Sequence, residues 1–336
     1  MKNDQANKTS QKRRFAIFVG IVAVVVLVAY FFGGDIADTV VGMSYQPTSE
    51  MSSLISSIEL TGDGSRILNA SKPALQTATD FNQNCPSTNE KSSTLGCYYD
   101  RQIYIYAINN DELAGIKEST LAHELLHAVW ARLSAAQKVS LQSDLDTVYK
   151  AHEKDLSDHM KLYSDDDYYD ELHSVVGTQI SYSELPSALQ SHYAKYFTDQ
   201  TKIAKYFDNY NSKFTALQTR ADELDAQITA NKKTIETKTA TYQADLAQLT
   251  QDITDFNRAA GDGTFQSEAS FNIERDKLLS RRQDVVDEYD ELEKLIDDTN
   301  ALVKEYNENV ARSSELFDSI NSNVSAPSSS VNQSQK

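Results

Sequence analysis

The sequence is poor in cysteine and in positive charge, and each shortage excludes one kind of function. Only two cysteines occur, Cys85 and Cys97, and they are too far apart to form the C-x₂₋₄-C pairs of cysteine zinc sites. The 32 lysines and arginines face 49 aspartates and glutamates, which gives a net charge of −17. Binding to a nucleic-acid backbone depends on a clustered positive surface, so nucleic acid is excluded as a partner.

Residues 15–32 contain no charged residue at all and read FAIFVGIVAVVVLVAYFF. At 1.5 Å per residue the run covers roughly 27 Å, close to the ~30 Å hydrocarbon core of a bilayer. Five basic residues precede it and none follows before Arg66, a bias that places the N-terminus in the cytoplasm. We predict a single-pass anchor in the cell membrane, which contacts the lipid bilayer and holds the rest of the chain outside the cytoplasm. A cleaved signal peptide is the alternative, although its apolar region is usually shorter.

Both cysteines lie beyond this apolar run, at the ends of the polar loop CPSTNEKSSTLGC. An exported chain folds in an oxidising compartment, where disulfide bonds persist. We therefore expect a disulfide between Cys85 and Cys97 that closes the loop, with two free thiols as the alternative.

Histidine is rare as well, yet two of the six histidines stand four apart in the stretch LAHELLHAVW. On a helix, His123 and His127 project from the same face about one turn apart, and Glu124 lies at a neighbouring edge. Two imidazoles at this spacing suit Zn²⁺, and the glutamate can take a proton from water that the ion activates. The apolar residues around the motif indicate a buried helix, so we expect a catalytic zinc site with one ion per chain.

The third protein ligand must come from a later segment. The extended metzincin motif HExxHxxGxxH is excluded, because its Gly and last His positions are Trp130 and Leu133. In YYDELHSVVGT, residues 168–178, Glu171 is surrounded by apolar residues, and a buried carboxylate needs a charge or a metal as its partner. We predict Glu171 as the third ligand; His173 is the possible substitute, and could also orient the ligand or hydrogen-bond a reaction intermediate. The remaining histidines stand alone at their spacing and are interpreted as surface or core side chains: His152, His159 and His192.

With ELHS beginning 44 positions after the HELLH motif ends, the sequence resembles the gluzincin group of zinc metallopeptidases. In that group HExxH supplies two ligands, and a glutamate on a following helix supplies the third. The wider pattern, GCYYDRQIYIY, TLAHELLHAVWARLS and DELHSVVGT, is similar to poorly characterised bacterial membrane-anchored predicted metallopeptidases over about residues 55–207. The resemblance implies a zincin-like fold in which the strand RQIYIYAI, residues 101–108, is an edge that pairs with an extended substrate. Val175 departs from the pattern: gluzincins often carry there the acidic partner of a zinc-binding histidine, so another group must take that role.

From about residue 214, apolar residues recur at alternating spacings of four and three, stop near Gly261 and Gly263, and resume as far as residue 320. Such heptads predict two long helices that fold back as an antiparallel coiled-coil hairpin, with Asn231 and Thr299 as polar positions in its seam. We interpret the hairpin as a spacer or oligomerisation arm, with an envelope protein as a possible partner.

The sequence therefore predicts an α+β, predominantly helical chain: a zincin-like metallopeptidase domain with a small edge-strand sheet, followed by the hairpin. The predicted segments are a cytoplasmic basic tail (1–14), the transmembrane anchor (15–32), a linker (33–49), the zinc metallopeptidase domain (50–207), the coiled-coil hairpin (208–322) and a disordered tail (323–336). The predicted function is hydrolysis of a peptide or protein substrate by a membrane-anchored, extracytoplasmic enzyme. The alternative is an envelope scaffold or adhesin-like protein whose hairpin is the functional part and whose metal site is vestigial or structural.

Overall fold

The structure is a computed structural model that describes residues 34–85, 95–163 and 167–322. Its contacts divide the chain into two units: the first runs to Ser212 and includes the chain from Phe317, and the second is Lys213–Leu316. Both are predominantly helical, and the first also contains a small sheet. The predicted basic tail (1–14), anchor (15–32) and C-terminal tail (323–336) lie outside the described residues.

The predicted single-pass membrane localisation is contradicted by the helices of the described residues. Among the described residues, no helix combines the length and the apolar character needed to cross a bilayer. The long helices of the second unit have the length, but charged residues occur throughout them.

Short helices surround a three-stranded sheet in the first unit. Its helices are α1 (Ser49–Ser57), α2 (Gly62–Ala70), α3 (Ala78–Asn84), α4 (Ile116–Trp130), α5 (Ala135–Ala151), α6 (Glu153–Met160), α7 (Tyr168–Gln179) and α8 (Ser187–Tyr193). Its strands are β1 (Ala74–Gln76), β2 (Gly96–Tyr99) and β3 (Gln102–Tyr106). Several helices begin where a hydroxyl side chain accepts a hydrogen bond from a backbone N–H of the first turn, as the capping residues Thr48, Thr61, Thr77 and Ser134 do.

The strand order is β1-β3-β2, with β1 parallel and β2 antiparallel to β3. The prediction that RQIYIYAI forms a substrate-binding edge is therefore wrong, because β3 lies at the centre of the sheet and pairs on both sides. Its alternate residues Ile103 and Ile105 are buried, which suits a central strand. In the described part of the chain β2 is an edge strand, and its Cys97 lies at disulfide-bonding distance from Cys85, with Cα atoms 6.1 Å apart.

Part of the predicted linker (33–49) is structured, since residues 34–42 are helical. Asp38 on this segment is only 4% exposed. It accepts hydrogen bonds from Nε and Nη2 of Arg132 at 2.6 and 3.1 Å, immediately after α4 ends. A buried carboxylate requires such a partner, so this two-point contact explains why the segment packs onto the first unit instead of extending as a spacer.

The core of the first unit is built around α4, which packs against α7, the strands β2 and β3, and the helices α1 and α2. Seven successive residues of α7, from Leu172 to Thr178, are buried together with Glu171. Gly177 allows α7 to approach α4 closely, because a methyl group at that position would overlap the side chains of Leu126 and Tyr193.

The second unit is formed by α9 (Gln200–Gly261), from Lys213 onward, and α10 (Glu268–Ile320), up to Leu316. They are antiparallel, as the ion pairs Arg220–Glu305 and Lys238–Glu291 require, and the break falls at Gly261 as predicted. The amide of Asn231 donates to the Thr299 hydroxyl at 3.2 Å, which pairs the two predicted polar seam positions.

Only part of the predicted heptad seam is buried in this hairpin. One set of its seam residues is buried: Leu224, Leu249, Val285, Leu292 and Thr299. By contrast, Tyr289, Ile296 and Val310 stay 43%, 37% and 44% exposed. Two helices alone cover a narrow stripe on each other, so the neighbouring heptad positions of α10 keep contact with solvent.

We expect Gly177→Ala to destabilise the first unit by about 1–3 kcal/mol, because the added methyl group forces Leu126, Tyr193 or α7 itself to shift in a packed core. Urea denaturation of the purified protein measures the change. Gly62→Ala is the matched control, since among the described residues nothing lies within 4 Å of a methyl group there. Equal stability of the two variants would contradict the close packing of α4 and α7.

Candidate metal centre

Two elements of the core supply a cluster of three side chains, His123 and His127 from α4 and Glu171 from α7. The two Nε2 atoms of the histidines are 3.1 Å apart. Oε1 of Glu171 lies 3.6 Å from Nε2 of His123, and Oε2 lies 3.4 Å from Nε2 of His127. One donor atom from each side chain lies within 4.8 Å of the others, an arrangement that can hold a metal ion.

The cluster is largely shielded from solvent. The side chains of His123 and His127 are 20% and 12% exposed, and that of Glu171 is 2% exposed. Among the described residues, Oε2 of Glu171 is buried and has no hydrogen-bond partner. Leaving a carboxylate oxygen buried without a donor is energetically unfavourable, which makes a cation its natural partner.

The charge state of the cluster follows from its carboxylates. Burial alone would lower the pKa of His127, but the charge of Asp170 and its hydrogen bond to the ring, with further contributions from Glu171 and Glu124, raise this pKa well above its ordinary value. Burial alone would raise the pKa of Glu171, yet His123, His127 and His159 hold it well below its usual range. Without a metal, the cluster therefore keeps an ionised carboxylate beside a protonated imidazole.

Asp170 is the partner of the His127 ring, with Nδ1 and Oδ1 2.8 Å apart. When Nδ1 carries the hydrogen of this bond, Nε2 of the same ring faces the cluster and can present a lone pair there. Asp170 thus takes the role that the sequence could not assign, since Val175 stands at the position where an acid was expected. Asp170 follows three other aspartates at positions 165–167, and no feature of the local sequence distinguishes it from them.

His159 is the second residue that sequence analysis missed. Its Nε2 lies 2.6 Å from Oε1 of Glu171, although its lone spacing had indicated an ordinary surface or core histidine. The only sequence signal is its position on an amphipathic stretch twelve residues before Glu171. That distance along the chain becomes a contact only because α6 folds against α7.

Glu124 is 3% exposed and lies beside the first residue of β2. A methyl group at Gly96 would come within 2.8 Å of both Cγ and Oε1 of Glu124 and 2.7 Å of Cγ2 of Thr120. Any larger residue at this position would therefore displace the carboxylate or the strand. Gly96 lets the edge strand pass directly over the glutamate of the HELLH motif.

His173 does not join the cluster. Its ring is fully buried against Trp130 and Tyr193, and its Nε2 lies 2.9 Å from Nε2 of His192. Burial, His192 and the other nearby imidazoles lower its pKa well below the ordinary value, so the ring is neutral at pH 7. The geometry favours Glu171 over His173 as the third donor, and His173 belongs to a buried histidine pair inside the core.

The cluster offers two nitrogen donors and one carboxylate, a donor set that suits a transition-metal dication of borderline softness. Glu124 is next to the donor His123 in the sequence. Two of the three donors also have hydrogen-bond partners outside the cluster, since His127 contacts Asp170 and Glu171 contacts His159. Comparison with known proteins found no match, whether to a family model, a curated protein or a solved structure. The gluzincin resemblance accordingly stays a prediction from the motifs.

The buried histidine pair predicts sensitivity of the fold to acid. Burial, with a smaller effect of Lys195, lowers the pKa of His192 to about 4. Because this folded-state pKa is below the ordinary value of about 6.5, the stabilisation is complete above pH 6.5 and is lost as the pH falls toward 4. When the pH falls from 7.5 to 4.5, the free energy of unfolding should decrease in both proteins. We expect the decrease to be about 2 kcal/mol smaller in His192→Gln than in the parent.

Urea denaturation across this pH range measures the difference. His152→Gln is the matched control, because His152 faces the exposed side chain of Glu184 at the surface. Parallel pH profiles for the parent and His192→Gln would contradict a neutral, buried His192.

Proposed function

We propose that the chain is a zinc-dependent hydrolase of peptide bonds, with His123, His127 and Glu171 as the metal ligands and Glu124 as the general base. The observation that carries the proposal is the convergence of three donor groups, largely shielded from solvent, around one point. In a tetrahedral zinc site with bonds of about 2.0–2.1 Å, donor atoms lie about 3.3 Å apart. The two Nε2 atoms, 3.1 Å apart, and the pair of Nε2 of His127 and Oε2 of Glu171, 3.4 Å apart, are close to that value. Nε2 of His123 lies 3.6 Å from the other oxygen, Oε1.

The ligand set also favours catalysis over a purely structural role. Structural zinc sites have four protein ligands, commonly including cysteine, whereas catalytic sites have three and keep one position open. Here the cluster contains three donors, and both cysteines are engaged with each other. When bound, zinc would activate a water molecule as a nucleophile and polarise the carbonyl group of a substrate.

The residues of the chain would perform the proton transfers. Glu124 accepts the proton of the attacking water and passes it to the amine that leaves when the C–N bond breaks. Its burial beside Gly96 keeps its carboxylate away from bulk water and in a fixed position. Asp170 holds the His127 ring by its Nδ1 atom throughout the cycle.

An extended polypeptide is the substrate that the surroundings favour. The edge strand β2 begins beside Glu124, and an edge strand can add another strand by main-chain hydrogen bonds. Such pairing would direct the backbone of a peptide, with its carbonyl groups, past the glutamate.

A scaffold role of the hairpin is the second candidate. A groove of about 420 Å³ on the second unit favours it, with walls that are mostly apolar and include Leu246, Ile253 and Val286. Grooves of this kind accept amphipathic helices. This role needs no catalytic turnover, so the metal content of the protein together with the activity of Glu124→Gln separates the two candidates.

We expect the purified protein to hold about one zinc ion per chain and to cleave members of a mixture of quenched-fluorescent peptides. Glu124→Gln should retain the ion and lose activity by about 10²–10⁴-fold, because the amide cannot accept a proton. Glu171→Ala should lose the ion itself, because it removes a ligand. Atomic emission measures zinc, and peptide fluorescence measures turnover.

A parent protein without zinc and without peptidase activity would contradict the proposal, as would full activity of Glu124→Gln. Loss of zinc from Glu124→Gln with retention in Glu171→Ala would reverse the assigned roles.

We expect Asp170→Ala to weaken zinc binding by about 10–100-fold, because the His127 ring loses the acceptor that fixes its orientation. Competition with a fluorescent chelator measures the affinity. The matched control is Asp146→Ala, which removes a carboxylate bonded to the neighbouring Tyr169 hydroxyl at 3.2 Å and leaves the cluster untouched. Identical affinities of the two variants would show that Asp170 does not orient the ring.

A further inference from the structure

The short helix α6 brings an additional histidine to the cluster. Leu156 and Met160, one turn apart on α6, are 3% and 2% exposed and fix the helix to the core. His159 lies next to Met160, with a side chain that is 34% exposed. Its backbone is therefore held by packing, and its ring reaches Glu171 from the solvent side.

The two oxygens of Glu171 have different surroundings. Oε1 lies 2.6 Å from Nε2 of His159, a short hydrogen bond of the kind that an ionised carboxylate makes. Oε2 is buried, has no hydrogen-bond partner among the described residues, and lies 3.4 Å from Nε2 of His127. The carboxylate is thus held through Oε1, which also lies 3.6 Å from Nε2 of His123, and it presents Oε2 to Nε2 of His127.

We propose that His159 is a positioning residue that donates its Nε2 hydrogen to Oε1 of Glu171 and so directs Oε2 to the metal. The inference rests on the proposed function, because it assumes that Glu171 is a ligand. In this proposal His159 orients the carboxylate of Glu171, as Asp170 orients the ring of His127.

The physical reason lies in the two ways in which a carboxylate binds a metal. A carboxylate that is free to rotate can offer both oxygens and fill two positions around the ion. A catalytic site with three protein ligands needs a position for water or substrate. The hydrogen bond from His159 occupies one oxygen and thereby favours binding through the other, which keeps that position available.

The same hydrogen bond also reduces the conformational freedom that Glu171 loses when it binds the ion. The side chain of Glu171 is only 2% exposed, so solvent contributes little to stabilising its charge. Without His159, only the two histidines of α4 would lie beside this ionised carboxylate. We therefore expect both zinc affinity and the number of coordinating atoms to depend on a donor at position 159.

The experiment compares His159→Ala, His159→Gln and the surface control His152→Ala in the full-length protein. Zinc affinity is measured by competition with a chromophoric chelator. The visible absorption of Co²⁺-loaded protein reports how many atoms surround the ion. His159→Ala should weaken zinc binding by about 10–100-fold, whereas His159→Gln, which retains an N–H donor, should recover most of the affinity, and His152→Ala should match the parent.

The Co²⁺ spectrum should weaken in His159→Ala, as it does when coordination expands, and return to the parental intensity in His159→Gln. His159→Ala also removes a donor from the buried charge of Glu171, so without metal it should unfold at a lower temperature than the parent. Zinc affinity is therefore compared at a temperature at which circular dichroism shows every metal-free variant to be folded, which separates a binding effect from misfolding.

Each opposite outcome has a distinct meaning. Parental affinity and spectrum in His159→Ala, with zinc lost in Glu171→Ala, would overturn the role of His159 and leave the proposed function intact. If His159→Gln loses as much affinity as His123→Ala, His159 is itself a ligand and not a positioning residue. A parent that binds no zinc, or a Glu171→Ala variant that binds it as tightly as the parent, would overturn the proposed function.

Discussion

The ionised carboxylate of Glu171, almost completely removed from water, is the constraint on which the rest of the first unit depends. A lone charge in a protein interior would be strongly destabilising, so the fold must bring compensating groups to it from several elements. Two imidazoles come from α4, and a third comes from α6. Those helices can meet only if α7 is buried along most of its length, and this explains why seven further successive residues of that helix have lost contact with solvent.

Burying α7 leaves its last carbonyl groups in need of donors, and the chain supplies them locally. The side-chain amide of Gln200 donates to the carbonyls of Gly177 and Ile180 at 2.9 and 2.8 Å, so the end of the helix is satisfied inside the core. On the other side of α4, the sheet is anchored at Gly96 against Glu124, and Cys97 ties the same strand to Cys85. The charged cluster is thus surrounded by contacts that restrict backbone movement, which is what a site with fixed donor geometry requires.

Local periodicity explains which parts of the structure could be predicted from the sequence. The i, i+4 spacing of His123 and His127 determines their shared face on any helix, and heptads reveal the two long helices with the break at Gly261. Contacts between elements have no such signature. Whether β3 is central or at an edge depends on which strands join it, and the roles of Asp170 and His159 depend on how α6, α7 and α4 meet. The half-exposed heptad positions of α10 likewise depend on how many helices surround it.

The 3.1 Å contact between the two Nε2 atoms of the HELLH motif has a consequence for the proposed metal site. In the metal-free protein, two imidazole nitrogens at this distance need a hydrogen between them, because their lone pairs would otherwise repel each other. A dication held by both rings would take the place of that hydrogen. Binding of the ion would then release a proton to solvent, and acid would favour the metal-free state. A site of this kind would link metal occupancy to the acidity of its surroundings.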